Sequence, residues 1–274
     1  MGPNPFSKLK FVRLLNMTKD ISQIFDLTGK TALVTGASAG LGKRFAQVLS
    51  AAGASVFITA RRIDKLRELS EQINMNDGGK CEAVELDVRD RASIRACIEF
   101  IEERQPIQVL INNAGIAIVK SPEKYLDSDW DAIYETNLRA PWTLAQEVIK
   151  KRLADQRSCS IVNIASVLGV RPIGHLAAYA AAKAGVINMG RDLCVDVGSK
   201  NIRINALAPG YFETEMNKEW LKSSAGRKLL ENIPAGRFGQ PEDLDGALLF
   251  MASDASSFMN GNLIVVDGGH SAGL

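Results

Sequence analysis

Tyr179 and Lys183 stand four positions apart in the alanine-rich run Ala177-Ala178-Tyr179-Ala180-Ala181-Ala182-Lys183, a spacing that on a helix sends both side chains out of one face. The pairing has a chemical use. A phenol, with an unperturbed pKa of about 10, is a poor acid or base near neutrality, and a nearby ammonium lowers that value by favouring the phenolate. Lys183 is therefore expected to tune Tyr179, which could then give a proton to a carbonyl oxygen as its carbon is reduced, or take one from an alcohol. Ser166 follows a β-branched run, at the end of a strand where ligands of open α/β folds bind, and its hydroxyl can donate to the same oxygen. Asn137, in Glu135-Thr136-Asn137-Leu138, is a polar side chain among apolar neighbours and reads as a buried hydrogen-bonding residue. Each has an ordinary alternative: the tyrosine and lysine could be a surface pair, and the serine a turn residue.

A second group of residues suits a dinucleotide. Thr35-Gly36-Ala37-Ser38-Ala39-Gly40-Leu41-Gly42 places three glycines between a strand and a helix, so the backbone at Gly36, Ser38, Ala39, Gly40, Leu41 and Gly42 can approach a pyrophosphate held at the helix N-terminus. At the end of the second strand, where an acid would bind ribose hydroxyls, the chain has Ala60-Arg61-Arg62. Paired guanidinium groups favour NADP(H), with NAD(H) possible, and Arg61 is the first candidate for a 2′-phosphate, with Arg62 beside it. Both could instead be solvated charges. Asp87 and Val88 end the third strand, where a carboxylate can accept from an adenine amino group. Asn113, Ala114 and Gly115, after Asn112, would let the chain pass close to the cofactor ribose, or form only a turn.

These residues need a scaffold that gathers strand ends. From Lys30 onward, short β-branched runs alternate with longer helical patterns, the mark of right-handed βαβ units. Seven strands are predicted, at Thr31–Thr35, Ser55–Ala60, Glu82–Leu86, Gln108–Ile111, Ser160–Ile164, Arg203–Leu207 and Leu263–Val266. The fold expected is a single-domain α/β Rossmann fold over residues 25–274, its seven-stranded parallel sheet having helices on both faces, after an N-terminal extension over 1–24. The segment Glu213–Phe238 interrupts the alternation and reads as a flap over the substrate, with an ordinary connection as the alternative.

The 33 basic and 31 acidic residues of the 274 nearly cancel, which gives no reason to expect nucleic acid or an anionic membrane as partner. Cys81, Cys97, Cys159 and Cys194 are dispersed without a CxxC pair, and with two histidines neither a disulfide framework nor a metal site is indicated. Reduced thiols in a cytoplasmic protein are expected, and no stretch has the length of a membrane helix.

Taken together, TGxxxGxG at Thr35–Gly42, NNAG at Asn112–Gly115, YxxxK at Tyr179–Lys183, Ser166 thirteen residues before the tyrosine, and the closing Val266-Asp267-Gly268-Gly269 resemble the short-chain dehydrogenase/reductase family over Phe25 to Gly269. The resemblance implies a catalytic tetrad of Asn137, Ser166, Tyr179 and Lys183, with Tyr179 the acid/base, Lys183 also holding the nicotinamide ribose, and Asn137 holding a water that links Lys183 to solvent. It places Pro209, Gly210 and Thr214 near the nicotinamide, and Ile116 and the Val186 region along the pocket. Ser166, Leu168, His175, Tyr179 and Tyr211 are expected against substrate, although a histidine just before such a helix is more often only a loop residue. Many NADP(H) members carry a basic residue where this chain has Ala39. The family also implies a homotetramer, which small residues such as Ala181 and Ala184 opposite Tyr179 would suit, although they could pack on the chain's own sheet instead. The substrate expected is a 3-oxoacyl thioester or small ketone, as in the 3-oxoacyl-(acyl-carrier-protein) reductase-like subgroup. A polyol or sugar-acid dehydrogenase is the alternative, and a non-catalytic cofactor sensor the reading from another class.

Overall fold

A computed structural model describes residues 23–76, 78–215 and 217–273. Of the extension expected over 1–24, residues 1–22 therefore lie outside the described residues.

The β-branched runs form seven parallel strands: β1 (Thr31–Thr35), β2 (Ser55–Ala60), β3 (Cys81–Glu85), β4 (Val109–Asn112), β5 (Cys159–Ile164), β6 (Ile202–Pro209) and β7 (Leu263–Val266). Their order across the sheet is β3-β2-β1-β4-β5-β6-β7. Strands β1, β4 and β5 are buried along their whole length, as a sheet covered on both faces requires. Successive residues divide between two cores. Ala32, Val34, Val56, Ile58, Val109 and Ile111 face helices α1 (Gly40–Ala51), α2 (Ile63–Asn74) and α9 (Asp245–Ala252). Leu33, Phe57, Leu110 and Ile161 face α3 (Arg91–Glu102), α5 (Ala140–Asp155) and α6 (Ala177–Val197).

The chain runs outward from β1 to β3 and then returns to β4 on the other side of β1. Connections after β1 and β4 therefore diverge, leaving a crevice at the carboxyl ends of these strands, the position where open α/β sheets bind ligands.

Helix α4 (Asp127–Tyr134) continues into α5 through a wide π-turn, Glu135–Arg139. Between β6 and α9, the expected flap contains two short helices, α7 (Lys218–Leu221) and α8 (Ser224–Leu230), and its base is closed where Phe212 bridges Gly239. At the opposite end of the sheet, Arg152 is only 1% exposed. It pairs with Glu102 and, at 3.0 Å, with Asp155, and its Nη1 donates to the Ile107 carbonyl at 3.2 Å. No helix among the described residues is long and apolar enough to cross a membrane.

Candidate active site

The glycine turn is fixed from the neighbouring strand. Thr35 Oγ1 accepts from the backbone N–H groups of Asn113 and Ala114 at 3.0 and 3.1 Å, and Asn113 Nδ2 donates to the carbonyl of Thr35 at 2.8 Å. Gly36 has φ +68°, and a Cβ there would lie 2.8 Å from Ala114 Cα. A Cβ on Gly42 would lie 2.5 Å from the carbonyl oxygen of Gly36, so the first turn of α1 is held against the turn that precedes it. That turn has no side-chain cap and no acidic residue, which leaves its N–H groups and positive dipole end to an anion.

From this turn a cleft of about 710 Å³ runs along the strand ends. Its walls bring together Gly36, Ser38, Ala39, Gly40, Leu41 and Gly42; Arg61 and Arg62; Asp87 and Val88; Asn113, Ala114, Gly115 and Ile116; Ser166, Tyr179 and Lys183; and Pro209, Gly210, Tyr211 and Thr214. At one end Arg62 Nη2 donates to Ser38 Oγ at 2.8 Å, whereas both arginines are exposed. Arg62 is thus the guanidinium turned toward the glycine turn. Part of the Asp87 carboxylate is already engaged, by the Arg89 N–H at 3.0 Å, and Arg89 also lines the cleft.

At the other end, the π-turn brings the wholly buried Asn137 inward. Its Oδ1 accepts from Ile116 N at 2.9 Å and its Nδ2 donates to Ile116 O at 2.7 Å, pinning the loop after β4. A Cβ on Gly115 would come within 2.9 Å of Asn137 Oδ1 and 3.6 Å of Lys183 Nζ, so the absence of a side chain there lets three segments meet. Lys183 is buried, and its Nζ donates to the Ile164 carbonyl at 2.6 Å. The ammonium lies 5.7 Å from the centre of the Tyr179 ring.

The electrostatics differ from the expectation of a phenol lowered by its lysine. Burial pushes the Tyr179 phenol above the ordinary tyrosine value, opposed by the Ser166 hydroxyl. Burial also lowers Lys183, to about 8. Desolvation disfavours the charged form of both groups, and the spacing of the residues gives no view of how deeply they sit.

Leu168 and His175 lie outside the walls of this cleft. Leu168 is buried and donates its N–H to Ser166 Oγ at 3.1 Å, which helps hold the hydroxyl. His175, at φ +57°, is exposed, and its carbonyl accepts from Lys120 N at 3.0 Å. Val186 is buried within α6. Arg89, Thr136, Phe212 and Asn217 also line the cleft; they carry no motif, and only the folding of separate loops brings them there. The expected flap contributes Thr214 and Asn217, joined by hydrogen bonds from Thr214 N and Oγ1 to Asn217 Oδ1 at 2.8 and 3.1 Å.

A model of the short chain dehydrogenase family matches residues 30–225. The chain belongs to this family. As a short-chain dehydrogenase it is an oxidoreductase, similar to the 3-oxoacyl-(acyl-carrier-protein) reductase of Thermotoga maritima, with 38% identity over 89% of this chain and 98% of that protein. Gluconate 5-dehydrogenase of Gluconobacter oxydans is 37% identical over 92% of this chain and 98% of its own length. Among solved structures, a gluconate 5-dehydrogenase from Burkholderia cenocepacia, in complex with NADP and tartrate, aligns with a TM-score of 0.87 and 35% identity over 92% of this chain and 99% of that one. The seven-stranded parallel Rossmann sheet of this dehydrogenase is the fold expected from its sequence.

Proposed function

We propose that this dehydrogenase interconverts a carbonyl and an alcohol on a small molecule, preferring NADP(H), with Tyr179 as the proton donor and acceptor. The observation that carries this reading is one cleft that joins the glycine turn and Arg62 at one end to Ser166, Tyr179 and a buried Lys183 at the other. The glycine turn fits a pyrophosphate, because side chains at Gly36 or Gly42 would fill the space the backbone leaves. Bound nicotinamide would supply or take up the hydride. Arg62 and Ser38 would hold a 2′-phosphate, with Arg61 beside them. Asp87 and Val88 would border the adenine, and Asn113, Ala114, Gly115, Pro209, Gly210 and Thr214 would border the remainder of the cofactor.

Ser166 holds the substrate oxygen beside Tyr179, which stays protonated at neutral pH in this buried setting and so is poised as an acid in the reducing direction. Lys183 would hold the ribose and, with its pKa lowered to about 8 by burial, can pass a proton onward. Asn137 positions the loop after β4 and keeps Lys183 connected to solvent through a water. The cleft wall at Tyr211 faces substrate.

The similarity to 3-oxoacyl-(acyl-carrier-protein) reductases supports a 3-oxoacyl thioester or small ketone as substrate, and the similarity to gluconate dehydrogenases supports a sugar acid. NADPH oxidation measured with acetoacetyl thioester, diketones and keto-sugars tests the proposal. Tyr179→Phe should remove turnover and leave NADPH binding in place; a fully active variant would exclude Tyr179 as proton donor.

A homotetramer fits the surface. Ala181 and Ala184 are exposed rather than packed on the sheet, and Trp142 and Leu153 of α5, Val265 on the edge strand β7 and Phe258 are exposed apolar side chains. A tetramer with crossed two-fold axes buries two distinct surfaces of each chain, and these residues are candidates for them. A cytoplasmic setting accords with the four unpaired cysteines.

A further inference from the structure

Beside the proton-transfer residues, two buried polar atoms have no hydrogen-bond partner among the described residues: Tyr211 Oη and His270 Nδ1. They belong to turns far apart in the chain, Tyr211 after the end of β6 and His270 after the end of β7. The two rings meet edge to face, with centroids 5.5 Å apart and planes 68° apart. Tyr211 is a wall of the same cleft as Ser166 and Tyr179. His270 is 4% exposed and stands against the Tyr211 ring.

The corner is braced from both sides. His270 N donates to the Asp267 carbonyl at 3.2 Å, and the Asp267 carboxylate accepts from the N–H groups of Gly269 and Ser271 at 2.9 and 2.7 Å. Arg171, in the loop between Ser166 and Tyr179, donates through Nη1 to the carbonyls of His270 and Gly273. The turn that carries His270 is held by these bonds, and buried polar atoms left unpaired carry a desolvation cost that a ligand able to pair them would relieve.

Their chemistry limits what that ligand group can be. Burial, together with the neighbouring Tyr179, pushes the Tyr211 phenol up to about 12, so it remains a donor. Burial and the Arg171 charge hold the His270 imidazole below its ordinary value, against an opposing pull from Asp267, so the ring is neutral near pH 7, and its Nε2–H tautomer would offer Nδ1 as an acceptor. A hydroxyl group both accepts and donates, and so pairs both atoms. A thioester or ketone oxygen can satisfy only the phenol, and a methylene neither.

We propose that Tyr211 and His270 form a second oxygen-binding corner that selects hydroxyketones, and in reverse vicinal diols, over carbonyl compounds lacking a hydroxyl near the reacting carbon. Tyr211 touches that hydroxyl, His270 completes its pairing, and Arg171 acts as a positioning residue for His270. The inference rests on Tyr179 being the proton-transfer residue of this cleft.

Comparing 2-hydroxycyclohexanone with cyclohexanone as substrates of the whole enzyme with NADPH tests it. The wild type should show a kcat/KM ratio of about 30 or more in favour of the hydroxyketone, in line with the discrimination of sites built to pair a hydroxyl. Tyr211→Phe and His270→Phe should each lower that ratio about tenfold, mainly through the KM of the hydroxyketone, and Arg171→Met should lower it less. NADPH binding followed by fluorescence establishes that the variants are folded. A wild-type ratio near one, or a ratio that neither phenylalanine variant moves, would overturn the proposal, and the wild-type ratio needs no variant to fold. Failure of the underlying assignment looks different: Tyr179→Phe would then retain activity on both ketones.

Discussion

Lys183 is a place where this fold gives up stability, and replacing it should show how much. Its pKa falls from 10.5 to about 8 on folding, through burial. At about 1.4 kcal/mol per pH unit, that drop corresponds to about 3 kcal/mol by which the buried ammonium disfavours the folded chain at neutral pH. Lys183→Met keeps the length and packing of the side chain but loses the charged hydrogen bond to the Ile164 carbonyl, at a cost of about 2 kcal/mol. The variant should therefore be inactive and, without cofactor, more stable than the wild type by about 1 kcal/mol at pH 7. The sign reverses with pH in a defined window. Between about pH 8 and 10.5 the unfolded lysine still carries a proton that the folded one has released, so the wild type gains stability over that range and the variant does not. Burial holds the Cys81, Cys97 and Cys159 thiols up at about 11, 12 and 12, which destabilises the fold as pH rises above about 9, yet all three are present in both proteins and cancel in the difference. Urea unfolding of both proteins at pH 7, 8.5 and 10 measures it. A methionine variant that is less stable at pH 7, or a difference that stays constant to pH 10, would refute the reasoning.

Arg62→Ala should raise the KM for NADPH about ten- to a hundredfold with little change for NADH, because the Arg62 guanidinium already reaches Ser38; Arg61→Ala should have the smaller effect, and steady-state kinetics with both cofactors decides between them. Arg152→Ala, which leaves Glu102 buried without its cation, should cost about 3–5 kcal/mol in urea unfolding, while the variant's kcat at 25 °C stays close to that of the wild type. Ala181→Glu places a charge on the exposed small-residue face of α6 and should lower the molar mass measured by light scattering below that of the wild type; an unchanged mass would remove this face from the assembly.

The parallel sheet was legible because its strands are apolar on both faces, and β1, β2 and β7 fall at the bounds their β-branched runs predict. Strand β6 runs on to Pro209, two residues beyond its predicted end, because it lies between β5 and β7, and Pro209 still pairs with Val266 at the end of the ladder. The glycine turn, Ser166 and the Tyr179–Lys183 pair, which one cleft brings together, were legible from residue type and spacing. Depth was not: the same spacing that joins Tyr179 to Lys183 gave no sign that burial would raise one and lower the other. Nor could sequence show that Arg62 is the arginine that turns back to Ser38. Arg171 and His270 escaped for a simpler reason, being single residues in turns about a hundred positions apart that only the closed sheet brings into contact.

The wide turn at Glu135–Arg139 has a consequence for how this gene can vary. In effect α4 and α5 are one rod, Asp127–Asp155, carrying a residue too many for a regular spiral, and the surplus is what swings Asn137 inward. Deleting any single residue there would let the spiral close into a regular α-helix and remove the swing that brings Asn137 to Ile116. Reading length in this stretch is thus under as strict a constraint as letter identity: many exchanges of one side chain for another should be tolerated, while a loss of three nucleotides should not.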